Sequence, residues 1–136
     1  MLRRVRLIPG FSLLELLITL AIVAILTSIT IPSYSGLVAK SRRADAISAL
    51  VQMQLAQEGW RENHTEYALR LEDLGANALS PDGHYRLHIQ RADGSDYLLL
   101  AEPLGAQQAD VCSTFATGSQ GPSHEYGYAG PGCWSR

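Results

Sequence analysis

The chain begins with a long, nearly unbroken run of apolar residues. From Phe11 to Ile31 there are 21 residues, and Glu15 is the only one among them that carries a charge. A helix rises about 1.5 Å per residue, so this run spans roughly 30 Å, the thickness of the hydrocarbon core of a bilayer. The pattern predicts a helix that can cross a membrane, and an ionisable group inside such a helix indicates a function.

The pattern changes after Pro32, where apolar residues alternate with polar ones at helical spacing. Four apolar residues lie three or four positions apart: Ala44, Ile47, Val51 and Leu55. Proline lacks the N–H of a helix, and its ring opposes the carbonyl four residues earlier. We therefore predict one long helix that is bent at Pro32, ends near Gly59 and turns this apolar face toward a partner surface.

The second half of the chain predicts an antiparallel sheet. Residues 84–90 alternate between apolar and polar, residues 91–95 contain a turn signal, and residues 96–101 complete a hairpin. Residues 111–117 are a third candidate strand, and residues 118–132 are a loop. The apolar faces of the sheet and the helix would cover each other, which gives an α+β fold with one small core.

Length and charge divide the chain into an anchor and one head. With 136 residues there is room for the apolar run and one small domain. Twelve of the 13 acidic residues follow the first forty positions, and a chain cut after Gly10 carries 8 basic and 13 acidic side chains, a net charge of −5. Such a head gives no electrostatic argument for nucleic acid, so we expect no nucleic-acid partner.

Cys112 and Cys133 are the only cysteines, and 20 residues separate them. In a segment exported across a membrane, two cysteines suggest one disulfide, which would stabilise a head of this size by roughly 3 kcal/mol. The alternative is two buried thiols in a reduced protein. A zinc site would need more ligands, and the four histidines show no metal-ligand spacing with the cysteines.

No group of residues predicts catalysis or a bound cofactor. The hydroxyl groups are scattered, and no glycine-rich phosphate loop precedes a helix. Acidic turns at 72–73 and 93–96 suggest solvated loops more than calcium sites. We therefore expect a protein that is not an enzyme and that holds no metal or other cofactor.

A basic cluster, Lys40, Arg42 and Arg43, follows the apolar run. Three interpretations are open: a face that flanks the membrane, a contact with acidic residues of another subunit, or a contact with DNA. Because three arginines also precede Gly10 on the other flank, charge alone does not set the orientation of the helix in the membrane.

The stretch from Gly10 to Leu16, Gly-Phe-Ser-Leu-Leu-Glu-Leu, closely resembles the processing signal of type IV prepilins and of the related type II secretion pseudopilins. In that family a membrane peptidase cuts after the glycine and methylates the new amino terminus. The resemblance implies a leader at 1–10, methylation of Phe11, a transmembrane and assembly helix at 11–39, and a head domain at 40–136. An ordinary secretory signal peptide fits poorly, because the apolar run is too long and no small-x-small cleavage site follows it.

The resemblance also gives Glu15 a role. In a helix, Phe11, Glu15 and Thr19 lie on one face, near the end where the helix dipole is positive. The carboxylate can pair there with the Phe11 amine that cleavage creates, in its own subunit or in a neighbour. Among packed apolar helices an unpaired charge penalises every wrong register, so the resemblance implies that Glu15 docks the subunit.

The predicted layout is similar to a type IV pilin throughout, and the resemblance is greatest to minor pilins of the PilE type. It implies partnership with major and minor pilins, processing by prepilin peptidase, and residence in the bacterial inner membrane with the head in the periplasm. Assembly into a surface pilus that serves motility or adhesion would follow. The alternatives are a minor pilin that binds as an adhesin or DNA uptake receptor, and a type II secretion pseudopilin.

Overall fold

The computed structural model describes residues 10–135, with the side chains of residues 30–33 excepted. The predicted leader before Gly10 and the side chain of Pro32 lie outside the described residues. The chain divides into two compact units, Met1–Leu37 and Val38–Arg136. We describe each unit by itself.

The first element is one α-helix, α1, that runs from Leu13 to Arg61. Its backbone stays helical at position 32, and the predicted bend at Pro32 stays a prediction. The predicted end near Gly59 is confirmed to within two residues.

A four-stranded antiparallel sheet follows, with its strands in the order β1-β2-β3-β4. The strands are β1 (Tyr85–Ala92), β2 (Tyr97–Pro103), β3 (Phe115–Gly118) and β4 (Gly121–Ser123). Two short 3₁₀ helices lie at Glu72–Leu74 and Gly105–Ala109, and a terminal helix, α2, spans Pro131–Trp134. The α+β class and the β1-β2 hairpin are confirmed.

The head has one core between the C-terminal part of α1 and the inner face of the sheet. Leu50 and Met53 of α1 meet Tyr85, Leu99 and Phe115 of the strands, and all five side chains are almost fully buried. Hydrophobic burial of this kind is the main favourable term in folding a small domain.

The predicted core face of α1 is wrong for three of its four residues, whereas the fourth, Ile47, is half-buried and packs against the core. Val51 and Leu55 are 45% and 69% exposed, and Ala44 is exposed as well. The buried side chains of the helix belong to a neighbouring stripe: Asp45, Ala46, Ala49, Leu50, Met53 and Gln57. Leu50 and Met53 of this stripe pack in the core with the strands, so the side of α1 that carries Val51 and Leu55 faces outward.

The predicted third strand and the loop after it also need correction. Residues 111–112 form a turn, and Ser113 has a positive φ of 51°. Because this conformation interrupts extended backbone, β3 begins only at Phe115. The predicted loop at 118–132 contains β4 and the first two residues of α2, so it is a hairpin with a return rather than an irregular segment.

Candidate functional site

The residues before α1 form an accessible, non-helical segment. Gly10, Phe11 and Ser12 precede the helix, and Phe11 is 75% exposed. The Ser12 carbonyl accepts the first helical hydrogen bond, from the amide of Leu16, at 3.1 Å. The bond between Gly10 and Phe11 therefore lies outside the hydrogen-bonded helix. Cleavage there stays a prediction.

Glu15 lies in the first turn of α1 and is exposed. No described residue forms a salt bridge with its carboxylate in the single chain. The Thr19 hydroxyl, on the same face, donates to the backbone carbonyls of Glu15 and Leu16 at 3.0 and 2.8 Å. The carboxylate is therefore available to a group outside the chain.

The surface of α1 from residue 13 to residue 29 is exposed throughout. Its hydroxyl groups bond to their own helix: Thr27 donates to the carbonyls of Val23 and Ala24, and Ser28 donates to that of Ile25. Such bonds satisfy hydroxyls without a partner from outside. Within the described part of the chain, α1 is the one helix that is long and apolar enough to cross a membrane.

The head residue Arg43 does not belong to a free basic cluster. Its Nε and Nη2 donate to the two carboxylate oxygens of Asp110 at 2.8 and 2.6 Å, and the side chains of Arg43 and Asp110 are only 17% and 4% exposed. This pair lowers the pKa of Asp110 and raises that of Arg43. All three interpretations of the cluster are therefore wrong for Arg43, because its charge is used inside the head; Lys40 stays exposed and Arg42 is half-buried.

Asp45 is a buried hydrogen-bond acceptor that the sequence analysis did not identify. It is 6% exposed. Its carboxylate accepts hydrogen bonds from the Ser80 hydroxyl and from the backbone amides of Asp82 and His84. Helix α1 thus holds the turn that leads into β1. The sequence Ser-Pro-Asp-Gly at 80–83 indicates a turn, but it does not indicate that Asp45, 35 positions before Ser80, holds that turn.

Asp96 ties the β1-β2 hairpin to the turn after β3. Its Oδ1 accepts from the amide and hydroxyl of Ser119 at 3.0 and 2.7 Å, and its Oδ2 accepts from Arg91 at 2.9 Å. The bonds from Ser119 chiefly lower the pKa of Asp96 to about 2. Position 118, next to this contact, favours glycine, because the Cβ of any other residue would lie only 3.0 Å from the Tyr97 carbonyl oxygen.

The acidic turns do not gather into a cation site. Oδ1 of Asp93 accepts from the amide and hydroxyl of Ser95 and from the amide of Asp96. Among the described residues no group of three or more histidine, cysteine or acidic side chains is placed to hold a metal ion.

A disulfide joins Cys112 to Cys133, as the sequence predicted, with a Cα–Cα distance of 5.8 Å. It ties α2 to the segment before β3. Trp134 beside it meets Phe115 edge to face, with ring centroids 5.3 Å apart, and donates to the Ala129 carbonyl at 3.3 Å. The C-terminal return is therefore fixed to the sheet.

These features define a class of protein. An exposed apolar helix with one carboxylate in its first turn, continued into an α+β head that a C-terminal disulfide closes, is the architecture of a type IV pilin.

Comparison with known families gives two matches. Residues 32–116 match the model described as type IV minor pilin ComP, DNA uptake sequence receptor. Residues 9–31 match the prokaryotic N-terminal methylation motif. Because the first match covers more than half of the chain, the protein belongs to the type IV minor pilin ComP family. The predicted recognition as a type IV prepilin of the minor pilin kind is confirmed.

Individual relatives include secretion and pilus proteins. The chain is 27% identical to the type II secretion system core protein G of Pectobacterium carotovorum subsp. carotovorum over 129 residues, covering 87% of this chain and 82% of the relative. It is 29% identical to the Klebsiella pneumoniae core protein G over 115 residues, or 76% and 81% of the two chains. Its identity to the major pilin PilE1 of Neisseria gonorrhoeae is 36% over 63 residues, 41% of this chain and 38% of the relative.

Proposed function

We propose that the protein is a minor structural subunit of a type IV pilus, without enzymatic activity. It is made as an inner-membrane precursor with its head in the periplasm. Prepilin peptidase cuts between Gly10 and Phe11 and methylates Phe11, and the subunit then enters the filament among major and minor pilins. Within the filament it serves assembly and pilus-dependent motility or adhesion.

One observation carries this proposal: the apolar surface of α1 from residue 13 to residue 29 is exposed, and Glu15 is the one charged residue in it. A surface of this kind is unstable in water and needs lipid or other apolar helices around it. A lone carboxylate among such helices is costly unless it finds a cation. The Phe11 amine that cleavage creates is a cation of the required charge at the required end of the helix.

The test is mass spectrometry of the protein from membranes and from sheared pili. We expect a mature chain that begins at Phe11 and carries one added methyl group. Replacing Gly10 with a large residue should leave the precursor in the membrane, uncut and absent from pili, whereas Gly36→Ala should be processed normally. A chain that begins at Met1, or beyond Ile31, would overturn the proposal.

The similarity to type II secretion core protein G supports a second assignment, to the pseudopilus of a secretion system. Both assignments use the same anchor and processing signal, and the phenotype of a deletion strain separates them. Loss of surface pili with normal protein secretion supports the pilus, and retained pili with a secretion defect supports the pseudopilus.

A further candidate function is reception of DNA, which the description of the matched family favours. In the described head, the charges of Arg43, Arg70 and Arg91 are each paired with an acidic side chain. The exposed cations that stay available to phosphate include Lys40 and Arg86. Binding of full-length protein to double-stranded DNA at two salt concentrations tests this function. Binding that weakens with salt and is lost in Lys40→Ala would support it, and no binding at low salt would contradict it.

A further inference from the structure

A groove of about 890 Å³ lies between α1 and the loop at 74–83 that precedes β1. Most of the side chains along it are small or apolar: Ala49, Met53, Ala56, Ala76, Ala78 and Leu79. Asp82 also lines the groove, and it is the one charged residue among the described residues that do so. The groove therefore combines an apolar wall with a single carboxylate.

The carboxylate of Asp82 is not used inside the head. Asp82 is exposed, and its side chain forms no hydrogen bond and no salt bridge with any residue that the structure describes. The backbone amide of Asp82, by contrast, is fixed, because it donates to Asp45 at 3.1 Å. The negative charge at the groove is therefore available to a group outside the chain.

The turn that carries Asp82 is held in one place. The Gly83 amide donates to the Ser80 carbonyl at 2.9 Å, and Pro81 restricts the backbone between them. From α1, the buried carboxylate of Asp45 accepts from the Ser80 hydroxyl as well as from the Asp82 amide. Asp45 forms no salt bridge with a described cation, so a second negative charge lies beneath the turn. A charge on a turn fixed in this way loses little conformational freedom on binding.

Charge and shape together define the chemistry of a suitable occupant. A cleft that carries one sign of charge between low-dielectric walls attracts the opposite charge. Lysine and arginine lay their aliphatic stems along apolar surface while the charged end stays near water or a counter-ion. A purely apolar side chain would cover Asp82 without giving it a partner, and an acidic one would place like charges together.

We propose that this groove binds a lysine or arginine side chain from the head of a different pilin. The aliphatic stem packs on the wall at Ala49, Ala56 and Ala78, and the cation pairs with Asp82. The inference rests on the proposed function, because a minor subunit in a filament has other pilins as its neighbours.

A second copy of this chain is a poor source of the cation. After Gly10 the chain has 8 basic and 13 acidic side chains. Three of the basic ones, Arg43, Arg70 and Arg91, are already paired with acidic side chains of their own head. Charge complementarity across the interface therefore favours a different and more basic partner.

The experiment places a photo-crosslinking amino acid, p-benzoylphenylalanine, at position 79 of the full-length protein in cells. Leu79 lines the groove and is 50% exposed, so the change keeps an apolar side chain at the edge of the groove. We expect an adduct with another pilin, and mass spectrometry should map the crosslink beside a lysine or arginine of that pilin. Position 111 is the matched control, because Val111 is 91% exposed and does not line the groove.

Changes of charge test the pairing itself. Asp82→Asn keeps the shape of the side chain and should lower the yield of adduct per subunit about fivefold, whereas Asp82→Glu should retain most of it. Asp73→Asn is the matched control, because Asp73 is exposed and precedes the lining residue Leu74 but does not itself line the groove. Asp82→Lys and the replacement of the mapped cation by aspartate should each lower the yield, and the two changes together should restore it.

Several results would overturn the inference. They are equal yields at positions 79 and 111, an adduct with a second copy of this chain, and an adduct with a protein that is not a pilin. A yield that Asp82→Asn leaves unchanged, or that Asp73→Asn lowers equally, would overturn it as well, because the Asp82 charge would then have no specific part in the contact.

The proposed function is read separately, from the presence of unmodified protein in sheared pili. If the protein is in pili but gives no adduct at the groove, the inference alone fails. If it is absent from pili, the proposed function fails, and the adduct measured in membranes still decides whether the groove binds a different pilin.

Discussion

Arg43 and Asp110 form a two-point ion pair that joins α1 to the segment between β2 and β3. Both guanidinium-to-carboxylate distances are below 3 Å, and the Asp110 side chain is 4% exposed. Gln107, in the same segment, brings its amide nitrogen to 3.1 Å from the Ala39 carbonyl and to 3.0 Å from the Tyr85 hydroxyl. These contacts hold the segment between β2 and β3 against the part of α1 where the head begins.

Removing one partner of this pair should lower the free energy of unfolding. Arg43→Met leaves the Asp110 carboxylate buried without a cation, and breaking a buried pair in this way costs about 3 to 5 kcal/mol of the free energy of unfolding. Urea unfolding of the full-length protein in detergent micelles measures the loss. The double variant Arg43→Met with Asp110→Leu should be more stable than Arg43→Met alone, because no charge is left unpaired.

The exposed pair of Arg70 and Glu72 is the matched control for that measurement. Its side chains are 70% and 74% exposed, and their atoms are 3.2 Å apart. Exposed pairs contribute little to stability, because solvent screens both charges. Arg70→Met should therefore leave the stability nearly unchanged. An equal loss from Arg43→Met and Arg70→Met would show that burial does not decide the effect.

Asp96 should make the head less stable in acid. Its pKa is lowered from 3.8 to about 2, chiefly by the hydrogen bonds from Ser119. Because the folded state favours the ionised form, its contribution to stability is present above pH 3.8 and is lost as the pH falls toward 2. Asp96→Asn should therefore lower the free energy of unfolding more at neutral pH than at pH 2.

Urea unfolding at a series of pH values measures that difference. Glu66→Gln is the control, because Glu66 is exposed and takes no part in the contacts of Asp96. A wild-type advantage over Asp96→Asn that stays constant down to pH 2 would contradict the prediction.

The disulfide should matter for the head and not for the anchor. Replacing both cysteines with alanine should destabilise the head by roughly 3 kcal/mol in the chain-entropy model. Subunit abundance should fall, while insertion of the precursor into the membrane continues. Thiol alkylation of the exported wild-type protein checks that the disulfide is present, because bridged cysteines do not react. Normal abundance of the double alanine variant would contradict the prediction.

The anchor was predictable from sequence because its signals are contiguous. Gly10, Phe11, Glu15 and the apolar run stand within about 20 residues of one another, and helical periodicity alone places them on one segment. The two cysteines were predictable as a pair for a different reason, because no third cysteine competes.

In the part of α1 that belongs to the head, helical periodicity alone does not identify the buried face. Two apolar stripes on α1 both have helical spacing, one through Val51 and Leu55 and one through Ala46, Leu50 and Met53. Hydrophobicity favours the first, yet the second is buried. Close packing on the sheet decides the choice, and that depends on contacts with strands more than 30 positions away.

The same reason explains the missed site residues. Arg43 is 67 positions from Asp110, and Asp45 is 35 positions from Ser80. Arg43 has no acidic residue three or four positions away, and Asp45 has only Arg42 at such a spacing, so helical periodicity indicates neither long-range partner. Only the topology of the sheet brings their partners to the helix.

The last prediction concerns the carboxylate of Glu15, whose side chain is exposed on an apolar helix. If this group needs only to be neutral in lipid, Glu15→Gln should be harmless, because an amide costs less there than an unpaired acid. If it sets the register by pairing with a Phe11 amine, Glu15→Gln should insert and be cleaved normally but fail to enter filaments. We predict the second result, because cleavage needs only the local Gly10-Phe11 signal, whereas assembly must select one register among similar apolar faces.

The measurement is the amount of processed Glu15→Gln protein in sheared pili relative to membranes, compared with the wild type. Thr19→Val is the matched control, because Thr19 lies on the same face and its hydroxyl bonds only within its own helix. It should assemble normally, since it removes a polar group without removing the charge. Wild-type incorporation of Glu15→Gln would show that another contact sets the register, and a cleavage defect would show that Glu15 acts at the peptidase instead of in the filament.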